Sequence, residues 1–481
     1  MRVLEGLKPE TVFYYFEEIC KIPHGSGNTQ MISDYLTGFA RERNLEHYQD
    51  EFGNVIMIKE ASIGYENAEP VMLQGHMDMV AVKKPDYDID MRIDGLKLQV
   101  KGDFICAEGT SLGGDDGIAV AYGLALMDDQ SLKHPRLELV ITVDEEVGMD
   151  GARAIDLSVC KATTLVNLDS EEEGILLVGC AGGARVNYSH DYPIKEQNGT
   201  ICRIKVSGLL GGHSGAEIHK ERGNANVLLV RVLKRLSKSI KFILLSLNGG
   251  LADNAIPREA MAEILLAAGE DGLFDAIEKI NAELREELAD KDAMVLVEGE
   301  VLDNIQIEAV SETDTSLIIN LLHVIPNGVQ AISAAMEGLV ETSLNIGILR
   351  FKAGKLKVGI SVRSCYESAK KALIERLQSI AELSGLTVEV TGDYPGWAYR
   401  KDSPLRDRMV LLYEEMYGEK PEIEAIHAGL ECGIFADKIS GLDCVSIGPD
   451  MKNIHTTEEE LSISSTERVY LFLVKLLEGM K

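Results

Sequence analysis

The sequence has no surplus of basic residues: 48 Lys and Arg stand against 78 Asp and Glu, for a formal net charge of −30. A surface of that sign repels phosphate backbones and anionic lipid, which argues against nucleic acid or a membrane as a partner. Long apolar runs are missing as well. No stretch reaches the roughly 18 apolar residues that a membrane-spanning helix needs. The opening MRVLEGLKPETVFYYF lacks the basic start and unbroken apolar core of a signal peptide. The eight cysteines form no CxxC pair and no regular framework, so they are expected to be reduced thiols of a cytoplasmic protein. Tryptophan is nearly absent, and the single one, Trp397, is assigned to packing rather than recognition.

What is present is an ordinary globular composition, 45% hydrophobic and 26% charged, in a chain of 481 residues, too long for one core. At least two domains are expected. The organising stretch is VMLQGHMDMV, 71–80: an apolar strand that stops at a glycine and presents His76 and Asp78 on alternate positions. Residues two apart in an extended segment project the same way, so an imidazole and a carboxylate leave the strand end together. Alone, this is a polar loop after a core strand. The rest of the chain changes that reading.

Upstream, residues 9–21 and 29–43 carry helical spacing around the turn-rich KIPHGSGN, where His24 is taken as a loop residue and not a ligand. VIMIKE, 55–60, reads as a strand adjacent to the organising one. In GTSLGGDDGIAV, glycines 113, 114 and 117 surround Asp115 and Asp116 at the start of an apolar helix, where aligned peptide dipoles favour negative charge. Capping accounts for one aspartate, but the crowd of glycines implies close approach of the backbone to something. LELVITV then runs into Asp144, Glu145 and Glu146, and TTLVNLD runs into Asp169. Glu171 to Glu173 read as a solvated face. Continuous apolar strands separated by helices indicate a parallel or mixed sheet covered on both faces, with ligands bound beyond the carboxyl ends of its strands.

From about 183 to 391 the pattern changes. ICRIKV, the helix 224–238, KFILLSL, REAMAEILL, the helix 272–289 and AMVLVEG give one βαββαβ order. VLDNIQIEAV, a helix after Thr313, TSLNIGILRF, LKVGISVR, the helix 367–384 and LTVEVTG give a second. Each has the order of a ferredoxin-like unit. Glycines at 182–183 and 392 read as hinges. The first domain then resumes with a helix at 404–417, the strand EIEAIH ending at His427, HAGLECGIFADK, and a strand and loop that present His455 before a final helix, 464–480. The expected domains are therefore 1–182, 183–391 and 392–481, the middle one an insert.

His76, Asp115, Glu146, Asp169 and His455 make two imidazoles and three carboxylates. That set suits a pair of zinc-like ions better than calcium or magnesium, which prefer oxygen ligands; cobalt and manganese are alternatives. Two ions about 3.5–4 Å apart activate water for hydrolysis. Of the paired Glu145 and Glu146, one can bind metal while its neighbour handles the proton. Asp78 can orient the imidazole of His76.

The motifs GHMDMV, GGDDG, DEEVG, NLDSEEEG, GGHSG, NAIPREA, HAGLECG and GPDMKNIHT, in this order, resemble the M20 metallopeptidases, in particular their aminoacyl-histidine dipeptidase branch. The resemblance runs through nearly the whole chain. It implies an α/β fold of zinc-peptidase type, a mixed sheet sandwiched by helices with an inserted α+β lid domain that looks like a doubled ferredoxin-like unit. It implies His76, Asp115, Glu146, Asp169 and His455 as metal ligands with Asp115 bridging, Glu145 as general base, Asp78 behind His76, and a cis peptide at Asp115–Asp116. For the substrate it implies His213, Asn254 and Arg363 from the insert, with His427 and Glu431 nearby. Gly117 stands where many relatives have lysine, and HAGLECG departs from the broad pattern; both favour the dipeptidase branch. The expected substrates are Xaa-His dipeptides such as β-alanyl-histidine, acted on by a monomer or homodimer in which His213 is supplied within the chain. Alternatives are a tripeptidase, a carboxypeptidase, a deacylase of N-acyl amino acids, or a binding protein without turnover.

Overall fold

The computed structural model describes residues 2–267 and 272–481. The chain divides into two compact units: Met1–Gly179 with Trp397–Ala425 and Leu430–Lys481, and Cys180–Gly396 with Ile426–Gly429. These limits differ from the expected 1–182, 183–391 and 392–481 by a few residues, and the short stretch 426–429 joins the second unit. Among the described residues no helix is long and apolar enough to cross a membrane.

The first unit is built on an eight-stranded mixed sheet in the order Glu46–Gln49, Val55–Lys59, Leu137–Thr142, Val71–His76, Thr164–Asn167, Asp443–Ser446, Ile175–Cys180, Glu422–Ile426. Its four central strands, Leu137–Thr142 to Asp443–Ser446, are parallel. Leu137–Thr142 and Val71–His76 are buried at every position, which is why they read as unbroken apolar runs. One expectation is corrected: Val55–Lys59 is not next to Val71–His76, because Leu137–Thr142 lies between them. Chain order did not give spatial order here, since a parallel pair needs a long crossover and the later strand filled the gap.

The helix Gly114–Asp128 is buried along nearly its whole length. A Cβ on Gly75 would lie 2.6 Å from Ala119 Cβ and 2.5 Å from Asp116 Oδ2, so the helix rests directly on the glycine in the organising strand. A small antiparallel sheet, ordered Met451–Lys452, Glu460–Ser462, Phe104–Ala107, Leu98–Lys101, holds the loop that carries His455. Trp397 is 4% exposed, in keeping with packing.

In the second unit the sheet has nine strands, ordered Leu296–Ala309, Lys195–Ser207, Ala260–Leu266, Ile243–Gly249, Val340–Lys352, Lys355–Ser364, Gly182–Asp191, Thr387–Tyr394, with Gly328–Ile332 beside Val340–Lys352. The first four strands carry the spatial order 4-1-3-2 of a βαββαβ unit, and the last four carry it in mirror sequence. The two sets meet where Ile243–Gly249 pairs with Val340–Lys352. The doubling is nested, not tandem. The first strand of the second set is Gly182–Asp191, and the entire first set is inserted between it and the helix Glu312–Val324.

Two readings change as a consequence. AMVLVEG and VLDNIQIEAV are not separate strands but parts of one 14-residue strand, Leu296–Ala309. Gly299, the last residue of AMVLVEG, lies within this strand: a Cβ there would lie 2.6 Å from Ile277 Cδ1, so the glycine admits the helix Leu273–Glu287. Likewise Gly182 and Gly183, read as a hinge, begin a strand in which a Cβ would meet Gly396 N at 2.4 Å and Tyr394 Oη at 2.6 Å. Tight packing, not mobility, requires them.

Candidate metal centre

Three of the parallel strands deliver polar groups at their carboxyl ends. His76 ends one strand, Glu145 and Glu146 follow Thr142, and Asp169 follows Asn167. Asp115 comes from the start of the helix Gly114–Asp128, next to the Asp115–Asp116 cis peptide. His455 comes from the loop after Met451–Lys452, with a left-handed φ of 62°. These groups meet at one place. His76 Nε2 is 3.2 Å from Asp115 Oδ1 and 3.5 Å from Asp169 Oδ1. His455 Nε2 is 3.0 Å from Asp115 Oδ2 and 2.8 Å from Glu146 Oε1. Asp115 therefore stands between the two imidazoles, one oxygen toward each.

The electrostatics follow from this geometry. The Asp115 and Glu146 carboxylates push His455 up to about 10. Burial works against a charged His76, but Asp169, Asp115 and Asp78 outweigh it and hold that imidazole well above its ordinary value. Burial alone would raise Asp115, yet His455 and His76 hold it well below the usual carboxylate range. Asp169 is displaced upward, by burial first and by Asp115 and Glu146 against the pull of His76.

The donor set fits divalent cations. Asp115 Oδ1 and Glu146 Oε1 are buried and make no hydrogen bond, although an imidazole nitrogen lies close to each. His76, Asp115 and Glu146 can offer ligand atoms within 4.8 Å of one another, and so can His76, Asp116 and Asp169. Asp116 had no assigned role from the sequence. Its Oδ2 accepts the backbone N–H of His76 at 3.0 Å.

Asp78 lies behind His76, near its Nδ1. The His76 Nδ1 donates to the backbone carbonyl of Asp78 at 3.0 Å, while the carboxylate is 3.4 Å away. That carboxylate instead accepts from Ser26 Oγ at 2.8 Å and from the backbone N–H of Glu145 at 3.1 Å. It ties the organising strand to the candidate base. His24 lies in its loop as expected, with Nδ1 2.6 Å from the carbonyl of Ile22. Of the acidic run after Asp169, Glu173 is not a solvated group: it grips Arg468 with two bonds of 2.6 Å.

Several residues escaped the sequence reading. Glu459 is 3% exposed and accepts four backbone N–H groups, from Leu112 (2.8 Å), Gly113 (3.1 Å), Gly114 (2.8 Å) and Asp115 (3.4 Å). Beneath the strand ends, Gln74, Thr142, Asn167 and Glu431 form a buried polar layer. Asn167 Nδ2 donates to Gln74 Oε1 at 2.6 Å, Gln74 Nε2 donates to Glu431, and Thr142 Oγ1 donates to Glu431 Oε2 at 2.6 Å. A signal existed: polar residues at 74, 142 and 167 interrupt strands that are otherwise apolar. Burial pushes Glu431 up to about 8. Glu431 belongs to this layer of the first unit, whereas His427, grouped with it from the sequence, belongs to the second.

The second unit has its own cluster. Gly215 of GGHSG sits among three of the expected residues: a Cβ there would meet His427 O at 2.4 Å, Arg363 Nε at 3.0 Å and His213 Cε1 at 3.0 Å. His213 Nδ1 accepts the backbone N–H of Ala216 at 3.0 Å. Arg363 is 8% exposed, donates to Tyr394 Oη at 3.0 Å, and leaves Nε without a bond. His427 Nε2 is 2.7 Å from Ser343 Oγ. Burial, then Arg363 and His213, push His427 down to about 3; burial and Arg363 lower His213 too. Asn254 joins through its backbone carbonyl, which accepts from Ser214 at 2.8 Å. His213 and Asn254 also line a cavity of about 1360 Å³ in this unit.

A largely buried set of imidazoles and carboxylates beyond the carboxyl ends of parallel strands fits a metal centre of the hydrolase type. The family follows from comparison: residues 72–479 match the model of peptidase family M20/M25/M40, and the chain belongs to that family. It is similar to the cytosol non-specific dipeptidase of Escherichia coli, at 36% identity over 481 residues and 99% of both chains. Among solved structures it resembles the aminoacylhistidine dipeptidase of Vibrio alginolyticus, with a TM-score of 0.93 and 36% identity over 99% of this chain and 98% of that one. Aminopeptidase PepT of Bacillus cereus, at 16% identity and a TM-score of 0.57 over 98% and 99% of the two chains, shares the fold.

Proposed function

We propose that this chain is a two-metal dipeptidase of the cytoplasm that hydrolyses Xaa-His type dipeptides, β-alanyl-histidine among them. The observation that carries the reading is Asp115, standing between His76 and His455 with Glu146 and Asp169 on either side. The dipeptidases of Escherichia coli and Vibrio alginolyticus, alike along 99% of this chain, support peptide hydrolysis as the reaction.

Bound by His76 and Asp169 on one side and by His455 and Glu146 on the other, with Asp115 shared, a pair of divalent ions, zinc first, would supply Lewis acidity and a lowered water pKa. The chain's own groups do the rest. His76 spends its Nδ1 proton on the carbonyl of Asp78, so that Nε2 keeps a lone pair toward the centre. Glu145, with its backbone held by Asp78, takes the proton of the attacking water and returns it to the leaving amine. Arg363 receives the substrate carboxylate through its unbonded Nε. His213, Asn254 and His427 contact the peptide, with the two histidines neutral at pH 7. Glu431 sits beneath the strand ends as a buried acid on the substrate side.

The test is a hydrolysis panel of β-alanyl-histidine, other Xaa-His dipeptides, a tripeptide and an N-acetyl amino acid, run with zinc-loaded wild type and Glu145→Ala. Dipeptide cleavage that the substitution abolishes with metal content intact is the expected result. Preferential cleavage of the tripeptide or the N-acetyl amino acid would replace the substrate assignment. A mixture of inactive Glu145→Ala and His213→Ala proteins should recover no activity if His213 serves its own chain.

A further inference from the structure

Glu459 is outside every residue set considered so far, and its surroundings are specific. Its carboxylate is buried, 3% exposed, and among the described residues no cation pairs with it. All four of its hydrogen bonds come from consecutive backbone amides, Leu112 to Asp115. Successive N–H groups turned toward one anion form a nest. Such a nest is a common place for a ligand anion. In this chain a side chain 344 residues away fills it at Asp115.

The two ends of this tie are the informative part. One end is the turn that delivers Asp115, and the other is the loop that delivers His455, four residues before Glu459. The strand pair Met451–Lys452 and Glu460–Ser462 closes that loop at its base, and Glu459 stands at that base, next to Glu460. Gly113 has φ 68°, and a Cβ on it would lie 2.8 Å from Met79 Sδ. A Cβ on Gly114 would lie 3.3 Å from Glu459 Oε1. The close approach that the glycines imply is, at Gly114, the approach of this carboxylate.

We propose that Glu459 is the positioning residue of the metal centre: by bonding the backbone up to Asp115, its carboxylate sets the spacing between Asp115 and His455 and hence the cation affinity of the pair. The inference rests on the two-metal reading above and adds the residue that presents its shared ligand.

The test is Co(II) titration of metal-free protein followed by visible absorption, with melting of the metal-free form as the fold control. The variants are Glu459→Gln, which turns one acceptor into a donor facing the nest, and Glu458→Gln, an exposed neighbour paired with Lys84. Partners one shell away from a metal ligand change affinity by about 10–100-fold, and that loss, with an altered Co(II) spectrum, is expected for Glu459→Gln alone. A change below about fivefold with a superimposable spectrum overturns the proposal. If metal-free Glu459→Gln does not fold, Gly114→Ala decides by the same threshold, since it keeps the carboxylate and displaces it, along with the flexible end of Met451. Wild type that binds no Co(II) removes the two-metal reading and this inference together. Wild type that binds Co(II), loses it on Glu459→Gln and cleaves none of the peptides removes the dipeptidase reading alone.

Discussion

Each unit brings a pair of histidines into a polar cluster, and the two pairs are driven in opposite directions. In the first unit His76 and His455 lie among Asp115, Asp169 and Glu146, which raise them. In the second, His213 and His427 lie beside Arg363; Glu217 opposes the fall at His213 but does not outweigh burial and Arg363, and both histidines fall. The same side chain thus reports the sign of its surroundings. A cluster that raises histidines is rich in uncompensated negative charge and suits cations. A cluster that lowers them keeps imidazoles neutral beside a guanidinium, which suits a carboxylate or a carbonyl oxygen. A peptide hydrolase with metal ions needs both environments, and here each is assembled within one compact unit.

The strongest way to break this contrast is to remove a proton carrier from the acidic cluster. Glu145→Ala is expected to lower kcat on a dipeptide by about 10²–10⁴ with metal content unchanged, the range for loss of a general acid–base group. A loss under about tenfold would move the base elsewhere. On the basic side, Arg363→Ala is expected to cost about 2–3 kcal/mol in kcat/KM, carried mainly by KM, because a buried charge-assisted partner of the substrate is lost. Arg363→Lys should recover only part of it, since lysine does not reproduce the guanidinium fork. An effect on kcat alone would show that Arg363 does not hold the ground-state substrate.

The two histidine environments also differ in what acid does to them. His427 has a folded value of about 3, below the ordinary unfolded value of about 6.5. Its neutral form is therefore favoured by folding, so the contribution is complete above pH ~6.5 and is lost as pH falls toward 3. In metal-free protein, His427→Gln should remove up to about 1.4 kcal/mol per pH unit from the decline in urea stability between pH 6.5 and 4. Identical slopes for variant and wild type would mean that His427 is hydrated and titrates normally.

How much of this was legible depended on whether the signal was local. His76, Asp115, Glu146, Asp169 and His455 could be gathered because each follows an apolar strand or opens a helix, and parallel sheets place such ends on one edge. Glu459 could not. It sits in TTEEEL between two other glutamates, and nothing local shows that one of the three points inward to a turn 344 residues away. The same limit applied in the second unit. The composition of a doubled βαββαβ segment was visible, but its first strand, Gly182–Asp191, was hidden by the nesting, although Ala184, Val186 and Tyr188 alternate inward with the period of two that marks a strand.

Glycine supplies the mildest test of the two units. Gly75 and Gly299 both interrupt apolar strands, and both admit a neighbouring helix. At Gly75 an added Cβ meets Asp116 Oδ2 at 2.5 Å and Ala119 Cβ at 2.6 Å, groups fixed by the helix start and by the bond from Asp116 to His76. At Gly299 it meets Ile277 Cδ1 at 2.6 Å, the free end of a side chain that can change rotamer. Gly75→Ala should therefore destabilise by about 2–3 kcal/mol and weaken the metal centre, the upper part of the range for overpacking. Gly299→Ala should cost about 1 kcal/mol or less, since part of the strain is offset by the lower backbone entropy of alanine in the unfolded chain. Urea unfolding of the two variants measures the difference. If Gly299→Ala proved the more costly, Ile277 would be locked rather than adaptable.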